Sequence, residues 1–411
     1  MDKVGRKRVE RKAMQAQTPL APKQPSGRPR RTLRPMAATT FLARNAAKTA
    51  PLIGVIVLAV MLVVGIVSLM NSIPYSIRST YSYSRFFVAM TPRGDASLTP
   101  KLVEEVRADS PVPIDRIVLC RFSPAQVKSI VGKWPFGILG MTPDDMDYYL
   151  ERLGVKEIDG RKPEPGQPEA LISEPVARNL GMKLGSVLMS PEGEDAYSPM
   201  EVKVVGIAKT DEWLMVNDID YQRLHHFPPL DNVMVFAGNP TDQEKLDRWS
   251  EEHFKGQRAQ VFAYHMLEKQ TADMFRILYK ILNVVILTLV IVITFMMGML
   301  INIYQSQRLV EFGLLQAIGY TKRQLLARTI RENVYVVVAG WLLGMVAAHL
   351  LLRTVKATLM DPQAFNLDTM DPSAFAYSLP IPAAILIVAV ATVLHRFRSF
   401  DPVGVVERRL V

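Results

Sequence analysis

Few residues in this chain of 411 are spaced for chemistry. A phosphate-binding loop needs Gly-x-x-x-x-Gly-Lys-Ser/Thr, so that backbone amides and a lysine can hold phosphate oxygens. The single Gly-Lys pair, Gly132–Lys133, runs into Trp134 and lacks the upstream glycine. ATP hydrolysis by this chain is therefore not expected. His225 and His226 are adjacent, with His253 and His265 further on. Zinc ligands must converge, and a helical pair does so at i, i+4. Adjacent histidines point apart on a strand or a helix, so no metal site is expected. Ser, His and Asp are all present, but no spacing marks out a triad. Asp144 and Asp145 follow Thr142 and read as the solvated first turn of a capped helix. His349 lies in an apolar run, where it is either a buried polar contact or a functional group. The expectation is a chain that catalyses nothing and binds no cofactor.

One segment carries a different kind of signal. From Arg308 to Arg323, Val310, Phe312, Leu314, Leu315 and Ile318 place apolar groups on a short helix. Gly319 can end that helix in a left-handed turn, and Thr321 can cap the next one. Gly313 and Ala317 lie four apart and offer a small-residue face for close helix approach. A short amphipathic helix of this kind is what a partner protein grips. The expected contact residues are Glu311 and the apolar side formed by Phe312 and Leu315.

The elements that position this segment are membrane helices. Mean hydropathy is +0.12, and 49% of residues are hydrophobic. Charged residues make up 21%, below the usual share of about 25%. Four stretches lack Asp, Glu, Lys and Arg: within Lys48–Arg78, Ile281–Gln307, Asn333–Leu352 and Pro372–Leu394. A crossing helix needs about 20 such residues. A cleaved signal peptide does not fit the first stretch, because a lead of about 50 residues and a long apolar core replace the short ones required. Pro380 and Pro382 are expected to start the fourth helix late or kink it.

Charge orients the crossings. Residues 1–50 hold 13 basic and 2 acidic residues, and 73–277 hold 24 and 30. The formal net charge of +10 is thus mostly an N-terminal tail, whose prolines indicate a solvated segment and no nucleic-acid partner. Arg31, Arg34, Arg44 and Lys48 precede the first helix. Arg308, Lys322, Arg323, Arg328 and Arg331 follow the second, and Arg396, Arg398, Arg408 and Arg409 follow the fourth. Basic residues mark the cytoplasmic side, so both termini are expected inside and the acidic block outside. Charge bias alone accounts for Arg328 and Arg331. Cys120 is the only cysteine, so a disulfide scaffold is excluded.

About 200 residues between two crossings is too long for a structureless loop. FFVAM (86–90), a helix over 100–109 and RIVLCRF (116–122) form one β-α-β pattern. NVMVFAG (232–238), a helix over 241–254 and AQVFAYH (259–265) form another. Two such units around an insertion predict a split α+β sandwich. The fold class expected is four transmembrane helices with a large α+β extracytoplasmic domain between helices 1 and 2. In detail, 1–35 is a basic tail and 36–50 either an interfacial helix or an extension of the first crossing. Helices are expected at 51–72, 278–304, 333–353 and 375–395. The outer domain is 73–277 with an insertion at about 123–230, the coupling segment 305–332, the outer loop 354–374 and the tail 396–411.

Two segments resemble a known family. EIDGRKPEPGQPEALISEPVARNLGMKLGSVL followed by VKVVGIAK resembles the extracytoplasmic core domain of MacB-like transporter permeases. Gly160, Arg161, Pro163, Ala177, Leu180, Gly181, Gly185, Val205, Gly206 and Ile207 fill the motif positions. QRLVEFGLLQAIGYTKRQLLARTIREN resembles the cytoplasmic segment of FtsX-like permeases, with Arg308, Glu311, Gly313, Ala317, Gly319, Lys322 and Arg323 in place. Asp401 and Pro402 match that family's ending. The N-terminal tail is longer than the family needs, and no fused nucleotide-binding domain is expected. The resemblance implies a permease subunit in a bacterial inner membrane. A separate ABC ATPase would carry ATP and Mg. A second permease copy or paralogue would complete a dimer, and an adaptor or envelope protein could join it. Export or extraction of a substrate is one implied task. ATP-driven regulation of a cell-wall enzyme, with nothing translocated, is the other.

Overall fold

The computed structural model describes residues 46–225 and 230–398. The basic tail, residues 36–45 of the 36–50 segment, His226 and the Asp401–Pro402 motif lie outside the described residues. In chain order, α1 (Ala46–Thr80) leads to β1 (Val88–Pro92), α2 (Leu98–Asp109), β2 (Ile114–Ser129), β3 (Gly132–Met141), α3 (Pro143–Arg152) and β4 (Ile158–Gly160). Then come β5 (Glu169–Ser173), α4 (Glu174–Leu180), β6 (Val187–Met189), β7 (Val202–Ala208), β8 (Met215–Asp218), α5 (Ile219–His225), β9 (Asn232–Ala237), α6 (Gln243–His253) and β10 (Ala259–Phe262). The chain closes with α7 (Tyr264–Gln307), α8 (Leu309–Ala317), α9 (Lys322–Val355), α10 (Pro372–Ser378) and α11 (Pro380–Arg398).

The strands form a mixed sheet in the order β10-β1-β9-β2-β3-β8-β5-β7-β4, with β6 on β7. The two β-α-β units therefore interleave: β10, β1, β9 and β2 are neighbours, all antiparallel. Leu102 and Val106 of α2 and Leu246 of α6 bury against Val88, Met90, Val233 and Val235. The strand β2 joins this lobe to the next. Its first half pairs with β9 and its second half, Arg121–Ser129, with β3. The second lobe packs Phe136, Ile138, Ile172, Val204, Trp213 and Met215. The family-like motif glycines meet between β4 and β7. A Cβ on Gly206 would lie 2.2 Å from the Arg161 carbonyl oxygen, and one on Gly160 2.3 Å from that of Val205. No side chain fits either position.

Asp247 of α6 is 4% exposed and accepts a hydrogen bond from Gln243 Nε2 at 2.9 Å. Burial pushes its pKa up to about 6, against the pull of Gln243 and His265. The unfolded value is about 3.9, so the folded state holds this proton more tightly. Its contribution is full below about pH 4 and is lost as pH rises through about 6. The full chain should lose about 2–3 kcal/mol from this group between pH 4 and pH 7. Melting curves of Asp247→Asn should show that much less pH dependence than the parent, and identical profiles would refute the assignment.

Among the described residues, four helices are long and apolar enough to cross a membrane. The core of α1 is half buried, against 22–28% for the other three, so α1 is the innermost. Gly340 and Gly344 of α9 lie against its Ile56 and Val60. Pro380 starts α11 as a new helix after α10. The helices run further than the sequence pattern indicated. The strand expected to reach residue 265 stops at Phe262, and α7 begins at Tyr264. Thr271, Phe275, Leu282, Ile286 and Val290 give α7 one continuous buried stripe. Its Phe275 packs with Ile73 and Ile77 of α1 and with Ile130 and Trp134 of the β2–β3 hairpin. Polar contacts tie the same region together. Asn71 Nδ2 donates to Asp371 Oδ2 at 2.6 Å, and Tyr279 Oη donates to Asn71 Oδ1 at 2.9 Å. Asn179 of α4 reaches the Gln363 carbonyl at 2.9 Å. His349 is a polar contact, its Nδ1 3.1 Å from the Thr369 carbonyl oxygen.

Candidate coupling site

The second crossing ends at Arg308. There the chain breaks its helix for one residue and resumes as α8. Gly319 follows α8 with φ 106°, a conformation that side chains disfavour. Its N–H bonds the Gln316 carbonyl at 2.9 Å, and that of Tyr320 bonds Leu315 at 3.1 Å. Thr321 then caps α9 reciprocally: its side chain accepts from Gln324 N, and Gln324 Oε1 accepts from Thr321 N. The result is a tight helical turn between α7 and α9.

Charges hold this turn together. Arg308 Nη1 donates to Glu332 Oε2 at 2.6 Å, and Arg308 Nε to Glu311 Oε2 at 3.1 Å. Arg328 Nε donates to the other Glu332 oxygen at 2.9 Å, and its Nη2 lies 3.6 Å from Glu311. The side chains of Arg308, Arg328 and Glu332 are 7%, 5% and 4% exposed, and that of Glu311 37%. The Arg308 guanidinium also lies over the rings of Tyr304 and Phe312, at 5.5 and 5.0 Å. Two arginines and two glutamates from the α7–α8 break, α8 and α9 thus form one network, most of it dry. Arg328 is a structural member of it as well as part of the basic bias. Arg331 remains exposed.

The expected contact face is turned inward. Phe312 is 2% exposed and packs with Leu325, Leu309, Leu315, Tyr320 and Phe397. Gly313 is buried beside it. Phe312 and Leu315 therefore fix α8 to this chain's own helices, and the assignment of their side as the outward contact is corrected. The outward face carries Val310, Leu314, Ala317 and Ile318, with Leu314 57% and Ile318 76% exposed. Lys322 and Arg323 are exposed next to it. Reasoning from the sequence missed Arg328 and Glu332 as site residues. Their i, i+4 spacing was the available signal.

Comparison with known proteins accords with this architecture. Residues 50–249 match the MacB-like periplasmic core domain family, and residues 282–400 match the FtsX-like permease C-terminal family. No curated protein matches the chain. The periplasmic region of MacB from Actinobacillus actinomycetemcomitans is 8% identical, over 46% of this chain and 92% of that one, with a TM-score of 0.27. The extracellular domain of the noncanonic ABC-type transporter YknZ from Gram-positive bacteria is 14% identical, over 43% and 99%, with a TM-score of 0.25. A domain of a putative permease protein from Porphyromonas gingivalis is 15% identical, over 44% and 89%, with a TM-score of 0.25. These scores are too low to carry the assignment, which rests on the two family matches. Together those matches take in both the sheet domain and the last three crossings, and the chain belongs to the FtsX/MacB-like ABC permeases.

Proposed function

We propose that this chain is the membrane subunit that converts ATP hydrolysis by a separate ABC ATPase into movement of its outer domain, for export or extraction of a substrate. The observation that carries this reading is α7. It is one unbroken helix of 44 residues, about 66 Å long. One end joins the α8 turn, and the other begins directly after strand β10 of the sheet. A push on α8 has no flexible link in which to dissipate before it reaches the outer domain. The buried charge network supports the same reading, because it makes α8 move with α7 and α9 together. Both termini are assigned to the cytoplasm and the sheet domain to the outside, from the basic flanks. Two permease copies, or this chain and a paralogue, are assigned to one complex.

The ATPase docks on the outward face of α8, where Val310, Leu314 and Ile318 are exposed. Leu314→Asp combined with Ile318→Asp should lower recovery of the cognate ATPase with the purified chain at least tenfold. ATP turnover of the complex should fall in parallel, and the elution profile of the permease should not change. Both substituted side chains are exposed, so folding is not at stake. Undiminished ATPase recovery would overturn the docking assignment.

A further inference from the structure

The β2–β3 hairpin is turned by two residues, Ile130 and Val131, between the paired Ser129 and Gly132. Two-residue turns favour Asn, Asp and Gly. Here both positions are β-branched and apolar, and the positive φ of the turn falls on Gly132, at 124°. The backbone therefore gives no reason for either side chain. Packing explains Ile130, which lies with Trp134 against the cluster of Ile73 and Ile77 of α1 and Phe275 of α7. It does not explain Val131, which is 57% exposed. No residue from Ser129 to Gly132 carries a charge.

The height of the turn accounts for its composition. Just past α1, Tyr81 Oη donates to the Pro135 carbonyl, and the Phe136 ring packs on those of Tyr81 and Tyr83. From there β3 runs back down along α1, since Trp134 and Met70 pack against the same cluster. Val131 is four residues from Pro135, up to about 13 Å of strand. Met70 ends the apolar run of α1 and is eleven residues from Tyr81, about 16 Å of helix. The turn thus stops a few ångströms from the hydrocarbon edge, within an interfacial layer about 5–8 Å deep on each side of the core.

We propose that the β2–β3 turn is a membrane anchor, with Val131 set into the interfacial layer of the bilayer beside α1 and α7. Lipid is the occupant of this face because the turn continues the surface by which those two helices already meet the bilayer. The second lobe then rests on the membrane itself, and movement passed along α7 tilts the domain about this foothold. Which leaflet holds the anchor follows from the topology proposed above; its depth does not.

The test uses the full chain with a nitroxide on Val131→Cys, reconstituted in vesicles of phosphatidylcholine and phosphatidylglycerol. Cys120 is buried, so the parent chain gives the labelling blank. Leu224→Cys is the reference. Leu224 is exposed and follows Arg223, whose carbonyl accepts from Arg121 at 3.4 Å. Arg121 pairs with Gly140, eight residues and about 26 Å of strand from Gly132. Power-saturation spin resonance compares collisions with oxygen, which concentrates in lipid, and with a nickel chelate, which stays in water. The oxygen-to-nickel ratio at Val131→Cys should exceed that at Leu224→Cys severalfold. Brominated phosphatidylcholine should likewise quench a bimane on Val131→Cys and spare one on Leu224→Cys. Both native side chains are exposed, so folding is not at stake. Equal ratios, or equal quenching, would overturn the anchor by leaving the turn in water. Low collision rates with both reagents at Val131→Cys would overturn it as well, because a protein surface would then cover the turn.

Discussion

Replacing Glu332 with alanine is expected to destabilise the chain by about 3–5 kcal/mol, the range for removing one partner of a buried ion pair. Glu332 accepts from Arg308 at 2.6 Å and from Arg328 at 2.9 Å, and all three side chains are less than a tenth exposed. Without it, two guanidinium groups lose their most buried acidic partner, and Glu311, which also faces both, is more than a third exposed. Their like charges then repel across a site that water enters poorly. The α8 turn should come loose from α9, and stimulation of the partner ATPase should fall with it. Glu332→Gln keeps an acceptor but not the charge, and should do less damage. The triple replacement Arg308→Met, Arg328→Leu, Glu332→Leu removes the three buried charges and leaves only Glu311, the most exposed of the four. Apolar packing of similar volume often matches a buried ion pair in stability, so this variant should regain most of the loss. Melting in detergent, alongside ATP turnover of the complex, measures both effects. A Glu332→Ala chain that melts with the parent would show that the network does not hold the turn.

How far the sequence alone reaches is visible at this turn. Gly319 and Thr321 act over a few residues, so their types announce the stop and the cap that the backbone adopts. The exposed face of α8 was not legible, because Val310, Phe312, Leu314, Leu315 and Ile318 surround the helix instead of striping it. Which side is buried is decided by Leu325 and Phe397, far along the chain. The charge network is half legible. Arg308 with Glu311 and Arg328 with Glu332 each have helical spacing, but their convergence depends on the angle of the turn. The sheet domain divides the same way. The sequence pattern located β1, β2, β9 and β10, whereas their interleaving is a long-range pairing that no local pattern encodes. The length of α7 was underestimated because its charged end next to the sheet domain does not read as membrane. Only the packing of Phe275 on α1 explains its continuation to Tyr264.

Substitution at Gly344 should have an effect of similar size, through shape instead of charge. A Cβ at this position would lie 2.7 Å from Val60 Cβ and 3.3 Å from the Val57 Cα on α1. One turn earlier, a Cβ on Gly340 would lie 2.9 Å from Ile56 Cβ. Ile56 and Val60 are fully buried, so the two glycines form a flat strip that lets α9 lie directly on the innermost helix. Close approach of this kind supplies packing where lipid offers no hydrophobic gain. The first contact atom can shift only if the helix moves, because it is a Cβ attached to backbone. Gly344→Ala should therefore cost about 1–3 kcal/mol, the usual range for overpacking. Gly344→Leu should exceed that and drive α1 and α9 apart. Since α1 packs with α7 at the end nearest the sheet domain, separation should also break the path from the α8 turn to that domain. Loss of ATPase stimulation should then accompany loss of stability, although Gly344 is remote from α8. A swap tests the contact itself. Val60→Gly moves the gap to the other helix, at an intrinsic cost of up to about 1 kcal/mol. Combined with Gly344→Ala, it should return the melting temperature and the stimulation toward the parent. If Gly344→Leu melts and couples as the parent does, or if Val60→Gly gives no relief, α9 does not depend on this strip to stay on α1.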